Sequence, residues 1–312
     1  MESLTSYRNG NYNVTILNDG TKIRENDLDY FDPSLPESID LTVTYQCEVG
    51  CPYCYQGCTK DGKNCDFNSE IVDSFHPGLE VAIGASGGVF QDGNIDKFNC
   101  FLSKLKNKGC IVNITVNQIH FIKYNDIIKE WIKNKVVYGV GVSISESLLQ
   151  FNFISSILRH FESEGLHNNI VFHTIAGIHT VDDINKLCSI YAKSKPKVLI
   201  LGYKTVGRGV KYKESFDKDI CDNINSLDGE LNNICKKVAC LSFDNLAVEQ
   251  LGIRNKVDKD VWDTYFLGED GKYSFYVDLV KGTFSKNSLC EETYDIKNFK
   301  TLKEMFSFLK SY

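Results

Sequence analysis

Three cysteines stand close together in the segment Cys47-Glu48-Val49-Gly50-Cys51-Pro52-Tyr53-Cys54, three residues apart and then two. Thiolates at this spacing on one loop can reach three corners of a single cuboidal iron–sulfur cluster, which leaves the fourth iron without a protein ligand. An iron left open in this way is a place for a cofactor or substrate to bind. Other chemistries use part of the same pattern. A C-x2-C pair also serves zinc and thiol redox sites, and a structural zinc centre wants four ligands, for which Cys58 stands near.

The elements around the loop decide how its thiols are presented. Ile39, Leu41, Val43 and Tyr45 alternate through residues 38–46, which predicts a strand that delivers the chain directly to Cys47. Short runs rich in β-branched residues recur at 81–85, 112–117, 138–145, 170–177 and 197–203. Helical stretches separate most of them. One follows Asn94 and stops at Gly109, one spans about 147–164 before Gly165, and one begins at Thr180 with Asp183 in a capping-box relation. Six such βα units predict an α/β fold with a parallel sheet, either a barrel or an open doubly wound sheet. Before them, residues 12–23 alternate around Asn18-Asp19-Gly20 and predict a hairpin. After them, from Val238, the strands shorten and include 273–280 behind the turn Glu269-Asp270-Gly271; Leu302, Met305, Phe306 and Leu309 then mark a last amphipathic helix. The expected organisation is a hairpin appendage at 1–37, a barrel at 38–236 and a C-terminal extension or lid at 237–312.

Composition narrows the function classes. A net charge of −6 without a dense Lys/Arg block gives no strong nucleic-acid signal. A polar N-terminus and the lack of a long apolar run predict no membrane association and a cytoplasmic protein. In that compartment thiols stay reduced, so the 12 cysteines are not expected in disulfides. The scattered ones, Cys100, Cys110, Cys188, Cys221, Cys235, Cys240 and Cys290, are expected as small buried hydrophobes.

The cysteine loop after the first strand resembles that of the radical S-adenosylmethionine (SAM) superfamily, and the resemblance runs through about 39–208. It implies a partial (β/α)6 barrel of TIM type holding one [4Fe–4S] cluster on Cys47, Cys51 and Cys54, with SAM chelating the open iron. It further implies reductive cleavage of SAM to a 5′-deoxyadenosyl radical, which abstracts hydrogen from a small molecule, nucleoside or peptide. An external low-potential electron donor such as flavodoxin or ferredoxin would supply the electron. Several positions are implied as SAM contacts. Tyr53 precedes the last cysteine, and Ser86, Gly87 and Gly88 occupy the place of a Gly-Gly-Glu type motif, here without its acid. Asn117 ends the third strand, while Ser143 and Ser145 alternate on the fourth. Ile175 and Gly177 match a G-x-I-x-G adenine motif whose first glycine is replaced by His173. The backbone at Leu201, Gly202 and Tyr203 would meet the adenine edge. Lys204 would face the cavity, whereas Arg208 reads as a solvated loop charge. Substrate-specifying residues are sought in the extension, at Asp244, Asn245, Glu249, Gln250 and Asp278. The dense C-terminal cysteine series of peptide-modifying relatives is not reproduced, which implies a single cluster. The missing acid keeps open a non-catalytic or degenerate member that binds a cluster or zinc.

Overall fold

The computed structural model describes residues 2–84, 87–91, 93–145, 151–266, 268 and 270–311. Three antiparallel strands open the chain: β1 (Ser3–Asn9), β2 (Tyr12–Leu17) and β3 (Lys22–Glu25). The predicted hairpin is the β2–β3 pair, and β1 is an addition to it. This small sheet is tied to the main one by Glu37, which is fully buried. Glu37 accepts from Arg24 at 2.7 and 2.8 Å and lies 3.2 Å from the Lys22 ammonium. Burial alone would disfavour its charge, but Arg24, Lys22 and the Tyr12 hydroxyl more than offset this and hold its carboxyl below the usual range.

Among the described residues the main sheet has ten strands. β4 (Ser38–Thr42), β5 (Glu80–Gly84), β6 (Ile111–Asn117), β7 (Gly139–Ser143), β8 (Ile170–Ile175), β9 (Lys197–Leu201) and β10 (Cys240–Phe243) lie parallel in chain order. On the other side of β4 the sheet continues through β11 (Ser274–Asp278), parallel to it, and then antiparallel β12 (Thr283–Ser285) and β13 (Tyr294–Asp295). The fold is therefore mixed α/β with the six expected strands parallel: β5 to β9 are each followed by an α-helix, whereas β4 is followed by the cysteine loop and a 3-10 turn at Glu70–Ser74, and the chain after Lys237 adds strands at both ends of the same sheet. Its crossovers carry α1 (Asn94–Asn107), α2 (Gln118–Lys123), α3 (Asn125–Lys133), α4 (Phe151–Ser163), α5 (Val181–Leu187) and α6 (Arg208–Lys237). α7 (Asn245–Gln250), α8 (Lys259–Tyr265) and α9 (Leu302–Lys310) follow. The capping box of α5 forms as predicted, and α9 buries the four apolar residues expected of it. The predicted start of the helix at 147 falls outside the described residues.

Side-chain alternation sorts the sheet into two unlike faces. Ile39, Leu41, Val81, Ile83, Val112, Ile114, Val140, Val142, Phe172, Val198 and Ile200 are buried in one apolar core with the helices. The other face is small or polar over β4 to β7, at Asp40, Thr42, Ala82, Gly84, Asn113, Thr115, Asn117, Gly139, Gly141 and Ser143, and on β8 and β9 it adds Val171, His173, Ile175, Leu199 and Leu201. The strands are also staggered. A row of register partners that begins at Thr42, the last residue of β4, passes through Gly84, Thr115, Gly141 and Val171 and reaches Lys197, the first residue of β9.

Among the described residues the backbone ladder does not join β10 to the β11–β13 edge. Side chains span that seam instead: Asn245, just after β10, and Asn287, just after β12, both donate to Asp270 at 2.6 Å. No described helix is long and apolar enough to cross a membrane.

Candidate active site

The face of the sheet that is small or polar over β4 to β7 lines a cavity of about 1120 Å³. One end of that cavity is the cysteine loop, whose Cys47, Cys51, Cys54 and Cys58 all contribute to the lining. β4 stops at Thr42, earlier than predicted, and the following residues form a stapled loop. Cys47 N–H donates to the Thr59 carbonyl at 2.8 Å, Tyr45 N–H to Lys63 at 2.8 Å, and Gln56 Nε2 to Thr42 Oγ1 at 3.0 Å. The Tyr45 hydroxyl donates to Asp278, so Asp278 serves the scaffold of this loop and is occupied.

Arg208 completes the clamp, which corrects its reading as a solvated charge. Its Nε donates to the Cys51 carbonyl at 2.9 Å and its Nη1 to the Cys58 carbonyl at 2.8 Å, while its backbone N–H reaches the Cys54 carbonyl at 3.1 Å. The first turns of α6 thus hold the loop from outside. Tyr53 packs there with Ile178, Tyr203 and Ile220 in a small apolar cluster that Cys51, Ile175 and Tyr212 border.

Each thiol feels its neighbours. Burial, followed by the nearby Cys54 and Cys47, pushes the Cys51 thiol up to about 11. A hydrogen bond from Cys58 brings Cys54 down to about 5, against the opposing effect of burial, and Cys58 is raised in consequence. The donor set is soft thiolate, which suits iron–sulfur clusters and zinc. Among the described residues no three His, Cys, Asp or Glu side chains converge closely enough to hold a single metal ion. A cuboidal cluster takes each thiolate at a different iron, so its ligands need not converge on one point.

Beside the loop runs a polar row of register partners, Asn117 on β6, Ser143 on β7 and His173 on β8. Asn117 does two things: its Oδ1 caps α2 by accepting from Ile119 N–H at 2.9 Å, and its amide nitrogen lies 3.9 Å from Cys51 Sγ. His173 covers Gly141, where a β-carbon would collide with the imidazole ring. Burial drives its pKa down to about 4, so it faces the cavity as a neutral ring. Among the described residues nothing stands within 4 Å of the missing β-carbon of Gly84, at the end of β5.

Of the positions implied as SAM contacts, Tyr53, Asn117, Ser143, Ile175 and Tyr203 line the cavity with the three cysteines. Gly87, Gly88, Ser145 and Gly177 are not part of that lining, and Ser86 lies outside the described residues. Gly88 donates its N–H to the Gln46 carbonyl at 2.8 Å and packs on Thr44. Gly87 lies against Glu48 and His120, so the carboxylate next to it comes from within the cysteine loop. Gly177 adopts φ 86° and receives Ile220 of α6, which makes it a packing position. Ser145 is turned away, and its carbonyl and that of Ile144 lie 3.2 and 3.1 Å from Nε2 of buried His179. Nδ1 of that ring accepts from Ile175 N–H at 2.8 Å, so Nε2 carries the proton and His179 pins the ends of β7 and β8 together.

The expectation for the adenine edge needs correction. Gly202 N–H donates to Asp244 at 2.8 Å, and both backbone groups of Tyr203 are engaged by Gln250 at 2.8 and 2.9 Å. The Leu201 carbonyl accepts from Ala176 at 2.8 Å. Asp244 and Gln250 are therefore scaffold for this strand end and take up the Gly202 N–H and both backbone groups of Tyr203. The scattered thiols also depart from expectation. Cys110 is buried, but Cys100, Cys221, Cys235 and Cys240 are exposed on outward positions of α1, α6 and β10. α6 kinks at Phe216, before Cys221, so the helix is unbroken between Cys221 and Cys235 and keeps them roughly 21 Å apart.

No protein-family model matches this sequence, and none of the curated proteins is similar enough to count as a relative.

Proposed function

We propose that the protein is a radical SAM enzyme whose main sheet is a partial (β/α)6 barrel of TIM type. The observation that carries this reading is the meeting of three C-x3-C-x2-C thiols with one end of a cavity walled by six successive parallel strands. The stagger that takes Thr42 of β4 to the start of β9 is the slant a sheet needs in order to curl around such a cavity. On β5 to β7 an inner face of glycine, alanine, serine, asparagine and threonine leaves room for a ligand where an ordinary barrel packs bulky branched residues, which here are confined to β8 and β9.

In this reading Cys47, Cys51 and Cys54 hold a [4Fe–4S] cluster, and Asn117, Ser143, Ile175 and Tyr203 face the bound SAM. When reduced, the cluster supplies the electron that splits the sulfonium into methionine and a 5′-deoxyadenosyl radical. The chain's own part is positional. Arg208 and α6 fix the cysteine loop, and His173 and Ser143 present uncharged polar groups to the cavity. Flavodoxin or ferredoxin is the class of electron donor this chemistry needs.

A zinc–thiolate reading has one observation in its favour, since Cys58 lines the same cavity and bonds to Cys54. The two readings separate on one variant. Anaerobic reconstitution with iron and sulfide is expected to load about four irons per chain, to lose them in Cys47→Ala, Cys51→Ala and Cys54→Ala, and to keep them in Cys58→Ala. Reduction in the presence of SAM should then release 5′-deoxyadenosine. Zinc retained under iron-replete conditions, and lost on removal of Cys58, would decide for the other reading.

A further inference from the structure

A cavity of about 1120 Å³ is larger than the roughly 300–1,000 Å³ of ordinary small-molecule sites. One cofactor beside the cysteine loop leaves part of its wall unexplained, and that remaining wall is charged. Near the seam it presents Asp40, Lys204 and Asp244 together with Tyr55, Tyr276 and Ser288.

The charges there are unequally satisfied. Asp244 accepts from the backbone of Gly202 and Ala247, both at 2.8 Å. Asp270, behind it, accepts two amide groups at 2.6 Å. Lys204 stands over the Tyr55 ring, 4.1 Å from its centroid, and donates to Ser288 Oγ at 3.3 Å. It forms no ion pair with any of these carboxylates among the described residues. Asp40 has no hydrogen-bond donor at all among them, although its register neighbour Tyr276 is committed to Thr42 at 2.8 Å.

Asp40 is enclosed by protein, yet it keeps an accessible surface. The two facts agree because the surface it keeps is that of the cavity. Enclosure raises its carboxyl above the usual range, and the more distant Lys204 only partly offsets this. The wall itself sets two carboxylates, Asp40 and Asp244, against one ammonium, an excess of one negative charge when all are ionised, and Asp270 behind it adds a third carboxylate. The Asp40 carboxylate therefore faces the cavity with no donor from the described protein, and a ligand that brings a charged N–H group supplies one.

We propose that the substrate carries a protonated amine and that Asp40, at the seam wall of the cavity, is the residue that binds it. The inference rests on the reading of this cavity as an active site, with SAM taking the wall beside the cysteines. Asp40 is then a specificity residue, and Tyr55 and Ser288 hold Lys204 out of an ion pair with it.

The test uses three probes of one length on the full chain by isothermal titration: 1,5-diaminopentane, 1,5-pentanediol and pentanedioate. The diamine is expected to bind at least tenfold more tightly than the other two, and Asp40→Asn, with its fold checked by circular dichroism, is expected to lose at least tenfold of that affinity. Equal binding of diamine and diol, tighter binding of pentanedioate, or full diamine affinity in the variant overturns the proposal. Should Asp40→Asn fail to fold, the ranking on the unaltered chain decides. Iron content and 5′-deoxyadenosine release are read separately, so a failed probe ranking and a failed cluster reading cannot be confused.

Discussion

Arg208 shows how a residue's importance can hide from its sequence context. Nothing beside it in the chain distinguishes it from a solvated charge, because its partners are carbonyls about 150 residues earlier, at Cys51 and Cys58. Such contacts arise only from tertiary folding. Arg208→Met leaves these carbonyls unpartnered and is expected to cost about 1.5–3 kcal/mol by urea denaturation. The same variant should lose iron faster to a chelator, a change that general destabilisation on a distant face would not produce. His173 was legible as an oddity, a bulky ring where the family resemblance has glycine, but its neutrality follows from burial that no sequence displays. The unfolded chain takes up this proton near 6.5 and the folded chain only near 4, so the unfolded state binds more protons between those values. Stability from this group is therefore full above the ordinary histidine range and falls as pH drops toward 4. Between pH 7 and pH 5 the native chain should lose about 2 kcal/mol more than His173→Gln. Parallel stability curves for the two would contradict the assignment.

At the scale of elements, periodicity read well wherever burial was one-sided. The six parallel strands, the α5 capping box and the apolar stripe of α9 all follow from local pattern. Pattern failed where pairing partners decide the outcome. β1 is polar and largely half-exposed, β10 is four residues of half-exposed edge, and β11, expected as a strand, finds its partner β4 more than 230 residues away. Strand ends were also overrun: β4 stops at Thr42 because the chain after it turns to pair with Asn64 and Thr59 in isolated bridges. Gly177 illustrates the opposite failure, a motif position whose observed neighbour is a helix. Its φ is 86° and an added β-carbon would stand 2.7 Å from Ile220. Gly177→Ala is expected to cost roughly 1–3 kcal/mol through overpacking, seen as a lower midpoint in thermal unfolding, with SAM affinity measured on the folded protein unchanged. A selective loss of SAM affinity at normal stability would return Gly177 to the binding site.

The whole molecule is a sheet with one face committed to a core and the other, small or polar over β4 to β7, set around a cavity. Its cysteine loop closes one end, and the Asn18-Asp19-Gly20 turn reaches the opposite end of the same cavity. The cysteine spacing was fully legible in the sequence, and so was the placement of the loop after the first strand of the βα series. The charged seam wall was not, because Asp40, Lys204 and Asp244 meet only when β4, β9 and β10 are brought around one space. The central claim is that three thiols of this loop leave one iron of a cluster open to SAM inside that space. Electron paramagnetic resonance of the anaerobically reconstituted and reduced protein tests it most directly, with spectra taken before and after addition of SAM. The account predicts a reduced-cluster signal whose g values shift when SAM is added; the absence of any cluster signal, or a signal indifferent to SAM, would contradict it.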